Sequence, residues 1–265
     1  MNDPVFDQYS VAGVAAALAA ALGAEPPKEA APAVAPLADL VADAGGVDRV
    51  FMYNPDAVAL WLYQKYTAYY RPLQRRVKLT LPLQSVMPSV TPVCFGTMYT
   101  GAMPEVHGIR SYAKPVIRID SLFDALIRAG KKPAIVAEEG CSLSRIFLER
   151  PMDYFILPTA DDCTAKAMGL IERDEYDFIL LYNGDYDHTM HHHAPEGEES
   201  LAILQKNIGV FTAVHDKIKA CWGDRHRTLL GFAPDHGCHE IDGGLGSHGL
   251  DMPEDLNILH FYTVI

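Results

Sequence analysis

Two short tracts hold most of the side chains in this sequence that could bind metal or move protons. In "GDYDHTMHHHAPE" (Gly184 to Glu196), Asp185, Asp187, His188, His191, His192 and His193 fall within nine residues. Carboxylate and imidazole together form the donor set of zinc sites, with manganese or iron as alternatives. A solvated His-rich loop is the plainer reading of the same residues. The tract lies mid-chain, between an apolar run and a long helical pattern, which favours convergence on a divalent metal. In "PDHGCHE" (Pro234 to Glu240), Asp235 and His236 stand side by side, Gly237 lets the chain turn away, and His239 follows. Further on, "GLGSHG" (Gly244 to Gly249) carries His248 between glycines that allow close backbone approach. Asp56 of "YNPDAVAL" stands where a strand should end and a helix begin. There it could equally complement a helix dipole.

The stretch "VTPVCFGTMYTGAMPEVHGIR" (Val90 to Arg110) supplies the hydroxyls and a thiol. Thr91-Pro92 reads as an N-cap residue followed by proline at the first helical position. A hydroxyl there sits among free backbone N–H groups, a natural phosphate site, although a plain cap explains it too. Cys94, about one turn into that helix, reads as a packed thiol. Thr97 and Thr100 read as structural, and His107 as a brace for the turn that follows.

Such residues act together only if a scaffold gathers them. From Asp48 onward, short apolar runs alternate with helical patterns. Strands are expected at 48–53, 133–138, 176–183, 227–233 and 257–264, and helices at 56–70, 121–130 and 198–222. Runs such as "FILLY" lack polar alternation, as strands buried on both faces do. The alternation predicts an α/β fold with a doubly wound, mostly parallel sheet flanked by helices. Ligands then bind beyond the carboxyl ends of the strands, where all the tracts above fall. Upstream, the Ala-rich run Val11 to Ala24 reads as a packed or docking helix, and the Pro/Ala stretch Ala24 to Pro36 as extended and poorly ordered. This divides the chain into an N-terminal helical arm with its linker (1–46) and a main domain (47–265) that holds the tracts above.

Composition narrows the partners. The chain of 265 residues carries a net charge of -12, which argues against nucleic acid, for which a basic face is needed. Five scattered cysteines without a CxxC pair suit reduced thiols in the cytoplasm. The opening "MNDPVFDQYS" lacks the positive region of a secretory signal, and no run reaches membrane-spanning length, so no membrane association is expected. Oligomeric state is not fixed by the residues; the arm leaves a homo-oligomeric contact open.

Three blocks, in order, resemble the alkaline phosphatase superfamily, in particular its type I phosphodiesterase/nucleotide pyrophosphatase branch. They are "SVTPVCFGTMYTGAMPEVHGI", then Asp187-x3-His191-x3-Pro195, then "PDHG…GSHG". The resemblance covers roughly Asp48 onward. It implies an alkaline phosphatase-like fold and gives Thr91 the place of the nucleophile. It also implies two divalent metals, zinc first and manganese or iron as alternatives. One would be held by Asp187, His191 and His248, the other by Asp56, Asp235, His236 and the Thr91 oxygen. The four-residue spacing selects Asp187/His191 over Asp185/His188. The implied activity is hydrolysis of a small-molecule phosphate mono- or diester through a phospho-threonine. Phosphomutase-type phosphoryl transfer and a non-catalytic metal-binding module on the same fold are the alternatives.

This sequence departs from the pattern in three places. Tyr112 stands where these phosphodiesterases usually place an asparagine that binds the phosphoryl oxygen, and is a candidate substrate contact. The Asp56 block reads "YNPDAVA" where the family often has Asp-Gly. Only 43 residues separate His191 from Asp235, so no large cap domain fits between them.

Overall fold

The computed structural model describes residues 9–265; the first eight residues, part of the opening read above for a signal, lie outside the described residues. The described residues form nine strands: β1 (Arg49–Pro55), β2 (Leu79–Gln84), β3 (Pro133–Glu138), β4 (Asp153–Leu157), β5 (Phe178–Asn183), β6 (Thr228–Phe232), β7 (His239–Ile241), β8 (Leu245–Ser247) and β9 (Asn257–Val264). Seven form one sheet in the order β2-β9-β6-β1-β5-β3-β4, and β7 and β8 form a separate hairpin. Strands β6, β1, β5, β3 and β4 run parallel, while β9 is antiparallel to both neighbours. The doubly wound, mostly parallel sheet expected from the alternating pattern is therefore present.

Side-chain alternation on the central strands feeds two cores. Val50, Met52, Leu180 and Tyr182 face one, with the helices Val14–Ala21, Thr91–Thr100 and Leu122–Arg128. Phe51, Tyr53, Ile179 and Leu181 face the other, with the helices Ala160–Arg173 and Glu198–Trp222. Burial on both faces explains why these strands read as unbroken apolar runs.

Several elements differ from expectation for identifiable reasons. Strand β2 contains Pro82, which cannot donate to a ladder; as the edge strand beside β9, bridged on its other side at Gln84 to Ser10, it tolerates the loss. The helix expected over 56–70 is broken: Asp56 and Ala57 lie in a turn, with Ala57 at φ 61°, and helix appears only at Leu60–Lys65 and Arg71–Gln74. The Thr67 hydroxyl bonds back to the Tyr63 carbonyl at 2.7 Å, after the first of these ends. The His-rich tract is a helix, Asp185–His193, and not a loop. The Pro/Ala stretch is extended, as expected, but tied down: Ala31 N donates to Gly101 O at 2.8 Å and Val34 N to Gly13 O at 3.1 Å. Helix Val14–Ala21 is buried among the first core residues.

Candidate active site

Five strand ends lead to one place. Asp56 follows β1, Asp187 lies in the first turn of the helix after β5, and Asp235 and His236 follow β6. His248 comes just beyond the β7–β8 hairpin, and Thr91 opens the helix that follows the β2 loop. Thr91 is the first helical residue and Val90 takes the N-cap position, one residue from the expected register. The shift matters, because the Thr91 hydroxyl is not used as a cap. Instead Oγ1 lies 3.4 Å from Asp56 Oδ1 and 3.4 Å from His236 Nε2, in a nearly fully buried position.

The remaining predicted ligands fall into two groups. Asp187, His191 and His248 form one, Asp56, Asp235 and His236 the other; within each, one donor atom per residue lies within 4.8 Å of the others. The two groups abut, with the His236 and His248 rings 4.2 Å apart between centroids. The helix explains the first group: positions four apart share a face, so Asp187 and His191 point the same way. In the second group, Asp56 N donates to Asn183 O at 2.9 Å, and the Tyr182 hydroxyl donates to Asp56 Oδ2 at 2.5 Å. Ala57 N approaches Asp235 Oδ1 at 3.4 Å, and the Ser85 hydroxyl donates to the Asp235 carbonyl at 2.5 Å.

Each of the three histidines is oriented from behind. His191 Nδ1 faces Gly246 O, His236 Nδ1 faces Gly237 O and His248 Nδ1 faces Ser89 O, all at 2.9 Å. A carbonyl only accepts, so each Nδ1 carries the proton and each Nε2 turns a lone pair into the site. This is the outer-shell arrangement that holds metal-ligating imidazoles. The lone pairs meet carboxylate oxygens: Asp187 Oδ1 is 3.4 Å from His191 Nε2 and 3.3 Å from His248 Nε2, and Asp235 Oδ2 is 3.4 Å from His236 Nε2. Both oxygens are buried without a hydrogen-bond donor. Acceptors facing acceptors at such distances repel unless a proton or a cation lies between them. The donor set and the orphaned oxygens thus fit two divalent cations.

Titration behaviour agrees. Burial and the charge of Asp187 push the Asp56 carboxyl up to about 7, and burial together with Asp56 raises that of Asp235. Burial and the charge of His248 hold His236 down at about 3, so its imidazole stays neutral, as a ligand must be. Asp187 is also buried, which opposes ionisation, but His191 and His248 outweigh that and hold it below the usual carboxylate range. The Asp187 carboxylate in turn raises His191. For His248 burial works against the charge, and Asp187 overcomes it. The pocket attracts positive charge.

Three residues passed over as ligands are engaged elsewhere. Asp185 Oδ2 is 3.2 Å from Lys206 Nζ, His193 is 3.7 Å from Glu199, and His239 Nδ1 is 2.7 Å from Asp255 Oδ1. Cys94 is fully buried, and burial raises its thiol well above the ordinary value. His107 bonds to the Thr97 hydroxyl at 3.0 Å and accepts from Ile109 N at 3.2 Å, bracing the turn as its sequence position suggested. Tyr112 is 62% exposed, with the Lys114 ammonium 5.1 Å from its ring centroid. Partial burial and the charges of Asp187 and Asp56 raise its phenol, so it feels the site without entering it. Sequence reasoning missed Tyr182, which lies in an apolar run with nothing to mark its hydroxyl, and the three backbone carbonyls behind the histidines.

Sheet order, the acids and histidines gathered beyond the strand ends and the threonine at a helix start define an alkaline phosphatase-like α/β fold. Solved structures share it. Human ectonucleotide pyrophosphatase/phosphodiesterase 5 matches at a TM-score of 0.59 and 17% identity over 73% of this chain and 58% of that one. Phosphonoacetate hydrolase from Sinorhizobium meliloti matches at 0.55 and 16%, over 74% and 59%. The C-terminal periplasmic domain of the phosphoethanolamine transferase EptC from Campylobacter jejuni matches at 0.56 and 12%, over 82% and 79%. All three belong to the alkaline phosphatase superfamily. The chain thus spans less than two thirds of the first two structures. No sequence-family profile matches it, and no curated protein does. Among the described residues no helix is long and apolar enough to cross a membrane.

Proposed function

We propose that the protein is a metal-dependent hydrolase of small phosphate esters, with Thr91 as nucleophile. The observation that carries this reading is the Thr91 hydroxyl, buried at a helix start and 3.4 Å from members of a carboxylate–imidazole group suited to a cation. Asp187, His191 and His248 would hold one divalent ion, and Asp56, Asp235, His236 and Thr91 Oγ1 a second. When bound, such ions neutralise phosphoryl charge and lower the pKa of coordinated oxygens. Zinc suits the donors best, with manganese and iron also compatible.

The chain's own residues account for the rest. The helix dipole at Thr91 favours an anionic phosphoryl group. Attack by Oγ1 forms an Oγ1–P bond as the bond to the leaving oxygen breaks, the hydroxyl proton ending on the released alcohol; water then cleaves Oγ1–P, one of its protons returning to Oγ1 while its oxygen departs with the phosphate. Asp56, fixed by Tyr182, orients Oγ1 through their shared contact. Tyr112 would meet the substrate from the rim, in place of the asparagine of phosphodiesterase-type relatives. The five free cysteines suit a reducing compartment such as the cytoplasm.

Metal analysis of the purified protein, combined with hydrolysis of aryl phosphate mono- and diesters, tests the proposal. Two ions per chain with release of phenol from at least one ester class are expected. A metal-replete protein that hydrolyses neither class would leave the metal-binding module as the better reading.

A further inference from the structure

The helix Asp185–His193 carries a second pair at the same spacing, one residue out of step with the first. Asp187 and His191 face inward. His188 and His192 are turned about 100° round the helix, given 3.6 residues per turn, and both are exposed. Their rings lie 4.9 Å apart between centroids. His192 Nδ1 donates to His188 O at 2.8 Å, which fixes its tautomer and leaves Nε2 free, while the His188 ring has no hydrogen-bond partner among the described residues. Among the described residues neither ring takes part in an ion pair. The other polar groups of this helix are occupied: Asp185 by Lys206, His193 by Glu199, and Asp187 with His191 in the inner cluster.

We propose that His188 and His192 form a separate, solvent-facing chelate for one transition-metal cation, of which Zn2+ is the type. Two imidazoles four residues apart on a helix share one face and can reach a single ion. Neutral imidazole is a good ligand for zinc, copper and nickel. Water fills the remaining coordination positions, so this ion exchanges freely and is held more weakly than ions in the buried clusters. Every helical turn that presents Asp187 and His191 to the inner site therefore presents a second, outer donor pair to the solvent.

The site requires only the helix and does not depend on the hydrolase reading. It is tested by Zn2+ titration of the full chain, with calorimetry and equilibrium dialysis followed by elemental analysis. The wild type should show a weak step of one equivalent beyond the tightly held ions. His188→Ala and His192→Ala should each lose that equivalent and keep the tight ones, whereas His193→Ala, whose ring is turned to Glu199, should keep all. A wild type without the weak step, or a weak step that survives in the His188→Ala/His192→Ala double variant, overturns the proposal. Loss of the tight equivalents alone in His191→Ala would separate the inner clusters from the outer pair. A protein with no tight ions whose weak step still vanishes in the double variant would sink the inner-site reading while upholding this one.

Discussion

Asp56 is held on every side: its amide by Asn183 O, Oδ2 by the Tyr182 hydroxyl, and Oδ1 close to both Thr91 Oγ1 and His236 Nε2. Removing the Tyr182 hydroxyl would leave Oδ2 buried without a donor, at a cost of about 1–3 kcal/mol, and free the carboxylate to rotate. Tyr182→Phe is therefore expected to fold but to bind metal at this cluster roughly 10–100-fold more weakly, the usual effect of losing an outer-shell partner. Competition with a chelator measures this, and unchanged affinity would remove Tyr182 from the account. Thr91→Ala should behave oppositely, retaining its metal content while turnover falls by about 10³-fold or more. Residues of these two kinds were unequally legible. Thr91, Asp187, His191, Asp235, His236 and His248 are polar residues at strand ends, and the structure brings them together. Tyr182 was hidden because a hydroxyl inside an apolar strand reads as core.

At the scale of elements, the β7–β8 hairpin positions the inner histidine. Gly246 O receives the His191 proton, and a Cβ on Gly246 would stand 2.3 Å from Met190 Sδ and 2.6 Å from Met190 O. Gly246→Ala must push the hairpin away from the helix. A loss of about 1–3 kcal/mol of stability should accompany weaker metal binding by the Asp187 group, read by denaturant unfolding and by metal titration. Normal binding despite the lost stability would show that the hairpin does not orient His191. The hairpin itself was not legible, since strands of three residues leave too short a pattern. Strand β2 was masked by Pro82, and β4 was also missed. The helix Asp185–His193 is hard to read because only Tyr186 and Met190 mark its core side among acids and histidines, too short an apolar period to signal a surface helix. What was legible, the strands β1, β3, β5, β6 and β9 and the long helix Glu198–Trp222, has burial that leaves its period in the sequence.

For the whole molecule, the buried carboxylates and imidazoles couple stability to pH and to metal. Asp56, raised from 3.8 to about 7 in the folded state, contributes stability that is present below pH 4 and lost as pH rises through 7. His236, lowered from 6.5 to about 3, contributes in the opposite sense, gaining between pH 3 and 6.5. Between pH 4 and 6.5 the losses from Asp56 and the likewise raised Asp235 are met by the gains from His236 and from His107 and His260, which burial lowers to about 4. Above pH 6.5 the gains from the lowered histidines are complete, and the stability from the raised His191 and His248 is lost as pH climbs through their folded values, which destabilises the metal-free chain. The melting temperature of chelator-treated protein should therefore be nearly level from pH 4 to 6.5 and fall above it, and Zn2+ should raise it more at pH 8 than at pH 5.5. An equal increment at both values would contradict this linkage. In the proposed reaction Thr91 carries the phosphoryl group between two half-reactions. Acid quenching of metal-replete protein during turnover of an aryl phosphate, followed by peptide mass spectrometry, tests it most directly. A phosphoryl adduct on Thr91 in the wild type, absent from Thr91→Ala, is the expected result; turnover without that adduct, persisting in Thr91→Ala, would contradict it.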